Sequence, residues 1–248
     1  MNDDLGDRIK LYESLACPSH FLPNFPVLVR IDGRAFHSFT RGLDKPFDTN
    51  LTTLMDSTAA WCVRKTGAKI GYVQSDEITL LLYSDNYESQ IFFNGKVQKI
   101  ISVCASIATA FFNKYIADFL PEKTNSLVEF DARAFQVPNL IEATNVFLWR
   151  ELDAVRNSIQ MAARSVYSHR ECENKNCADL QDMLHTKGIN WNDYPRRFKR
   201  GSYFNKNGLT DYSEEFIKLS QLSVEDRVSF ILGEFTDVQY EYNQSPII

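Results

Sequence analysis

Apolar and polar positions along the chain follow two periods. Residues 27 to 31, VLVRI, form a β-branched apolar run with the length of a buried strand, and IGYVQ at 70 to 74 and ITLLLYS at 78 to 84 read the same way. The latter two flank SDE at 75 to 77, too closely for any connection but a hairpin. Between the first two strands lies a helical pattern, opened by Asp48 as N-cap and closed by Gly67 as C-terminal stop. Further on, Ile100, Cys104, Ile107, Phe111, Tyr115 and Phe119 recur at steps of three and four, which predicts a core-facing helix over 100 to 119. SLVEFDARAF, from 126 to 135, is a fourth strand. The order β-α-β-β-α-β predicts an α+β chain of the ferredoxin-like split arrangement.

Flanking this core, residues 6 to 16 read as a short amphipathic helix followed by the Pro-containing loop CPSHFLPNFP. On the far side, a helix is expected from about 143 to 168, with Leu152, Val155, Ile159, Ala162 and Val166 as its apolar stripe. Arg150, Asp153, Asn157, Gln160 and Arg164 form its polar stripe, which is either a solvated face or arginines lining a channel for nucleic acid. The expected organisation is a core at 1–138 with its N-terminal helix, and a helical, basic portion of the same domain at 139–248.

Composition narrows the classes. With 44% hydrophobic and 24% charged residues the chain is ordinary for a soluble globular protein, and no low-complexity tract or bilayer-length apolar run is expected to anchor it in a membrane. The charged start MNDDLGDRIKLYE lacks the apolar stretch of a signal peptide, so a cytoplasmic location is expected. Cys62 and Cys104 fall inside apolar helical patterns as free thiols, which suits a reducing compartment. A net charge of −5 argues against gross non-specific affinity for nucleic acid, while leaving room for a local basic surface.

The candidate chemistry starts from a near repeat. LVRIDGRAF at 28 to 36 returns as LVEFDARAF at 127 to 135, with alanine where the glycine was. In a ferredoxin-like sheet the first and third strands are central neighbours, so Asp32 can face Asp76 and Glu77. Three such carboxylates repel unless protonated or bridged, and Mg²⁺, which takes a few carboxylate oxygens plus substrate phosphates, fits that need. Two ions about 3.5 to 4 Å apart activate an attacking oxygen and stabilise leaving pyrophosphate. Gly33 has no Cβ and lets metal and phosphate approach the backbone, a freedom that Ala132 lacks, and Asp131 is expected to pair with Arg133. SDE in a hairpin is also ordinary turn chemistry, so the residues alone leave both readings open.

RIDGRAFHSF, DKPFD at 44 to 48, SDE, KVQKIISVCAS at 96 to 106, FDARAF, and WRELD at 149 to 153 stand in an order that resembles the tRNA(His) guanylyltransferase family of 3′-5′ nucleotide-adding polymerases. The resemblance covers most of the chain. It implies a polymerase-like palm, two Mg²⁺ ions, ATP or GTP as activating and incoming nucleotide, tRNA as partner, and a homotetramer. Carried over by position, Asp32, Asp76 and Glu77 match the metal-binding acids, and Gly33 matches a backbone metal contact. Arg34, Ala35, Phe36 and His37 fall in the turn that holds the triphosphate, with Ser75 beside the acids. Lys96 and Lys99 match basic residues at a helix start, where cations and free N–H groups make an anion site; a solvated basic turn is the alternative. Lys45 matches a residue linked to activation of the 5′-monophosphate, and Asp48 one near the nucleotide base, compatible with its role as a helix cap.

One departure separates the branches of that family. Where the eukaryotic tRNA(His) enzymes carry His-Ile-Asn-Asn, this chain reads WRELDAVRNS, keeping Asp153 and Asn157. The loss resembles the bacterial and archaeal branch, which restores missing 5′ nucleotides by copying the opposing strand. Arg150, Asn157, Lys199 and Arg200 are the expected tRNA contacts, the last two within YPRRFKRG at 194 to 201. His169, Cys172 and Cys177 offer a non-standard zinc spacing short of a fourth ligand. No Gly-rich P-loop or hydrolase nucleophile elbow is present. Two other functions remain compatible with the residues: a palm-type nucleotide cyclase, and a non-catalytic RNA-binding module, although the aromatic signature of the latter is missing.

Overall fold

The computed structural model describes residues 20–86, 88–209 and 218–234. The helix expected at 6 to 16 lies outside these. Strand β1, Val27–Gly33, runs beside β3, Glu77–Leu82, and beside β4, Phe130–Gln136, while β2, Ile70–Gln74, covers the other side of β3. Every pairing is antiparallel, and the order β4-β1-β3-β2 is the split arrangement expected. The sheet then continues through β5, Ser202–Asn205, and β6, Gly208–Leu209. Because β5 pairs with β2, the second half of the chain shares the sheet of the first.

Alternation along β1 decides the layers. Val27, Val29 and Ile31 point to one face, where helices α1, Thr49–Thr66, and α2, Val97–Phe119, cover them. Leu28 points to the other face, beneath helix α3, Leu140–Val166, with Tyr72, Phe147 and Tyr203. Arg30 and Asp32 share that second face by the same alternation, which brings the polar end of the strand under α3.

Caps confirm the limits of α1: the Asp48 side chain accepts from the Leu51 N–H at 2.9 Å, and Gly67 closes the helix at φ 67°. In α2 the buried line is Ile100, Cys104, Ala108, Phe112 and Ile116, every fourth residue. The expected line through Ile107, Phe111 and Tyr115 is therefore rotated toward the rim, where Phe111 stacks on Trp61 at 5.4 Å. By length and composition α2 could cross a membrane, contrary to the expectation, yet its buried line packs on the sheet as a core helix does.

The stripes of α3 also need correction. Leu152 and Val166 are 51% and 41% exposed, while Arg150 and Glu151 are buried. Ala143, Phe147, Ala154 and Ser158 carry the inner face, so polar residues were hidden by ion pairing and small ones did the packing. Beyond α3, helix α4, Cys177–Thr186, and the short α5, Arg196–Arg200, close a third apolar cluster around Trp191 and Phe198.

Candidate active site

The polar ends of β1 and of the β2–β3 hairpin meet at one point. Asp32 lies directly opposite Glu77 across the β1–β3 pair and opposite Asp131 across the β1–β4 pair. Ser75, at φ 53°, turns the hairpin, and the Gly33 N–H donates to the Asp76 carbonyl at 3.1 Å. This bond ties the end of β1 to the hairpin turn. Gly33 is required there by close approach: a Cβ at this position would stand 2.4 Å from Phe36 Cδ2 and 3.0 Å from Asp76 Cβ. The echo of the motif has no such need, since Ala132 sits in the β4 register opposite Ile31.

The acids differ in their company. Burial raises the Asp32 carboxyl above its ordinary range, and Glu77 and Asp131 add to this against Arg133 and Arg30. Asp76 is pushed to about 6, mainly by burial, with Asp32 and Glu77 contributing, although hydrogen bonds from its own backbone and from Ser75 oppose the rise. Glu77 is held differently. Its carboxylate lies 2.7 Å from Arg30 Nη2 and 2.6 Å from Arg150 Nε, with all three side chains largely buried. Asp131 pairs with Arg133 at 3.4 Å as expected, and the same guanidinium lies 3.7 Å from Asp32.

Among the described residues no group of three or more His, Cys, Asp or Glu side chains is placed to hold a metal ion. The donor set that fits one is Asp32 and Asp76 with Gly33 beside them. Two carboxyls raised by burial and mutual repulsion ionise readily once a divalent cation neutralises them. Glu77, already neutralised by two guanidiniums, fits less well. His169, Cys172 and Cys177, which the sequence already left short of a fourth zinc ligand, form no such group among the described residues either.

Two cavities open from this point. The larger, about 570 Å³, is lined by Asp32, Gly33, Ala35, Phe36, His37, Lys45, Asp48, Ser75 and Asp76 among the expected site residues. Phe47 and Phe198, stacked at 4.6 Å, supply its apolar wall, and Arg197, fixed by Asp56 at 2.6 Å, closes it. The smaller, about 350 Å³, lies between the hairpin and α3 and is lined by Glu77, Arg150, Asn157, Gln160 and Arg164 with the shared acids. The polar stripe of α3 is thus a cavity wall and not a solvated face. Asp153 braces it: two arginines, Arg150 at 3.0 Å and Arg156, hold this carboxylate below the usual range against the opposing effect of burial.

Some expected residues are elsewhere. Arg34 pairs with Glu129 at 2.6 Å, and neither it nor Lys96 or Lys99 lines either cavity; Lys99 sits 5.6 Å over the Phe93 ring. The expected tRNA contacts Arg150 and Arg200 are largely buried, Arg200 at 3.4 Å from Glu151, and Lys199 donates to the Asn192 carbonyl at 2.5 Å. The guanidinium charge of Arg150 and Arg200 is met by carboxylates inside the fold, whereas Lys199 is only half-buried. Of the four, Arg150 and Asn157 line the smaller cavity, and Lys199 and Arg200 line neither. Sequence reasoning missed Arg30, Met161 and Arg197 as site residues; only Arg30 carried a signal, its spacing of two from Asp32.

Comparison with known proteins gives a consistent set. A family model described as tRNAHis guanylyltransferase matches residues 6–138. The tRNA(His) guanylyltransferase of Saccharomyces cerevisiae is 31% identical over 75% of this chain and 85% of its own. Among solved structures, a bacterial tRNA(His) guanylyltransferase-like protein in complex with ATP superposes with TM-score 0.83 at 38% identity, covering 93% of this chain and 99% of that one. The yeast enzyme superposes at 0.69 and 27% identity over 82% and 96%.

Proposed function

The chain belongs to the tRNA(His) guanylyltransferase family and is a 3′-5′ nucleotidyltransferase, and from that footing we propose that it restores nucleotides missing from 5′-truncated tRNA by copying the opposing strand. The observation that carries this reading is the larger cavity, of nucleotide size, with Asp32 and Asp76 in its lining. Two features favour repair over obligatory guanosine addition. WRELDAVRNS lacks the His-Ile-Asn-Asn of the tRNA(His)-dedicated enzymes, and identity to the bacterial guanylyltransferase-like structure exceeds that to the yeast enzyme, 38% against 27%.

Adding a nucleotide at a 5′ end joins the 3′-oxygen of the incoming nucleotide to the terminal 5′-phosphorus, and the group that activated this phosphorus departs. Ala35, Phe36, His37, Ser75 and Asp48 bind and orient one ATP or GTP in the larger cavity, with Lys45 on its wall. Asp32 and Asp76 hold the Mg²⁺ ions, which when bound neutralise triphosphate charge and make the attacking oxygen more acidic. Glu77, through Arg150, positions α3 over the acids, and Asn157 meets the RNA from the smaller cavity. The assembly proposed is a homotetramer acting in the cytoplasm. The exposed stripe Ile141, Trp149 and Leu152 on α3 supports association between copies.

The test is a tRNA lacking its first 5′ nucleotide, supplied with Mg²⁺, ATP and each labelled nucleotide in turn. Incorporation following the opposing base supports repair. Guanosine regardless of template assigns the tRNA(His) activity instead, and a cyclic product from GTP and Mg²⁺ alone would assign a cyclase.

A further inference from the structure

The two cavities share one wall, made of Asp32, Gln74, Ser75, Asp76, Met161 and Arg164. Arg164 is the one cation common to both, among the described residues. The other arginines at these cavities are committed. Arg197 is bound to Asp56 and to the Thr52 carbonyl, and Arg150 to Glu77 and Asp153. Arg164 has no ion pair or hydrogen bond among the described residues, although it lines the same space as two carboxylates. It projects from the last turns of α3, one side of which is fixed by Ala162 and Ala163 in the buried cluster around Trp191, so its Cα is held while its head is exposed.

A guanidinium so placed presents a planar fork of donors that matches phosphate. It lines the shared wall together with Asp32 and Asp76, whose negative charge would repel a bare phosphate, so a cation in the same lining favours the entry of one. We propose that Arg164 binds a substrate phosphate at the junction of the two cavities and presents it to the Asp32–Asp76 wall. Two sources supply that chemistry: the triphosphate of a nucleotide in the larger cavity, or the 5′-terminal phosphate of the RNA entering from the smaller. Met161 beside it, 37% exposed, offers an apolar contact and no competing acceptor.

The inference deepens the nucleotidyltransferase reading and rests on it for the identity of the substrate; its test reads binding without turnover, so the two fail separately. The full chain and its Arg164→Ala, Arg164→Lys and Arg170→Ala variants are compared by calorimetry with ATP, and by filter binding with a tRNA acceptor hairpin bearing a 5′-phosphate or a 5′-hydroxyl. Arg170 is exposed and lines neither cavity, so its removal controls for net charge. Loss of a charge-assisted phosphate contact weakens binding by about ten- to a hundredfold. A drop of that size for ATP alone in Arg164→Ala, partly restored in Arg164→Lys, assigns the triphosphate. If the alanine variant instead no longer distinguishes phosphorylated from hydroxyl hairpin, with ATP binding intact, the 5′ end is the ligand. Unchanged affinity for both, or an equal loss in Arg170→Ala, overturns the assignment. Wild-type chain that binds as described but adds no nucleotide to truncated tRNA would refute the repair reading and leave the phosphate site standing.

Discussion

Arg150 Nε lies 2.6 Å from Glu77 Oε1, which links α3 to the start of β3, just after the hairpin turn. Both side chains are close to nine-tenths buried, and Arg30 completes the charge balance at 2.7 Å from the other carboxylate oxygen. Removing one partner of such a cluster strands the rest without compensation. Arg150→Ala is expected to lose about 3 kcal/mol of stability, as breaking a buried pair does. Glu77→Gln, which leaves two guanidiniums facing a neutral amide, should lose a comparable amount. In the double variant the losses should fall well short of additive, since the residues are in contact. Urea unfolding of the four proteins measures this, and full additivity would mean that the pair carries no coupling.

Gly33 is the tightest point of the site, and its replacement separates packing from catalysis. In Gly33→Ala the new methyl meets the Phe36 ring and Asp76 Cβ, and overpacking of this kind costs about 1 to 3 kcal/mol. Since relief must come by moving Phe36 or Asp76, nucleotide addition should fall by more than the stability loss accounts for. Ala132→Gly at the echoed position on β4 should lose about 0.5 to 1 kcal/mol and leave the rate unchanged in folded protein. Thermal unfolding and single-turnover rates on both variants provide the comparison.

The order of strands and helices was legible because each carries its period plainly: VLVRI and ITLLL are buried on both faces, and Asp48 and Gly67 mark the ends of α1. The meeting of Asp32 with the hairpin followed from that order alone. What failed did so where charge and burial part company. Arg150 read as part of a solvated face or a nucleic-acid channel because isolated sequence cannot show that Glu77 waits across the fold to pair with it. Arg200, which pairs with the buried Glu151, read as an RNA surface for the same reason. The line of α2 slipped because Ala108, small and weakly apolar, was passed over in favour of Ile107.

Stability of the metal-free protein should depend on pH through Asp76. Its proton is held more tightly in the fold than in the unfolded chain, with values near 6 against 3.8. The folded chain therefore binds more protons between these values, and the Asp76 contribution to stability falls as pH rises through that window and is gone above about 6. Asp32, raised in the same direction, adds to the slope. Asp76→Asn removes the Asp76 share and should raise stability at pH 7 by on the order of 2 kcal/mol. Mg²⁺ at pH 7 should raise the Tm of the wild type and leave that of Asp76→Asn nearly unchanged. Denaturation across pH 4 to 8 checks the sign: a wild-type curve that climbs through the window would contradict the burial of Asp76.

Lys45 lines the larger cavity and has no ion pair or hydrogen bond among the described residues, so its ammonium is available to a substrate phosphate. Two routes to nucleotide addition differ in whether they need it. A tRNA with a 5′-monophosphate must first attack the α-phosphorus of a nucleotide and expel pyrophosphate, whereas a 5′-triphosphate already carries that leaving group. If Lys45 serves the first step, Lys45→Ala should slow addition to monophosphorylated tRNA by about ten- to a hundredfold, the loss of one charge-assisted contact. Addition to the triphosphorylated tRNA should be spared. Single-turnover assays on the two substrates decide it, and equal slowing of both would move Lys45 from activation to general nucleotide binding.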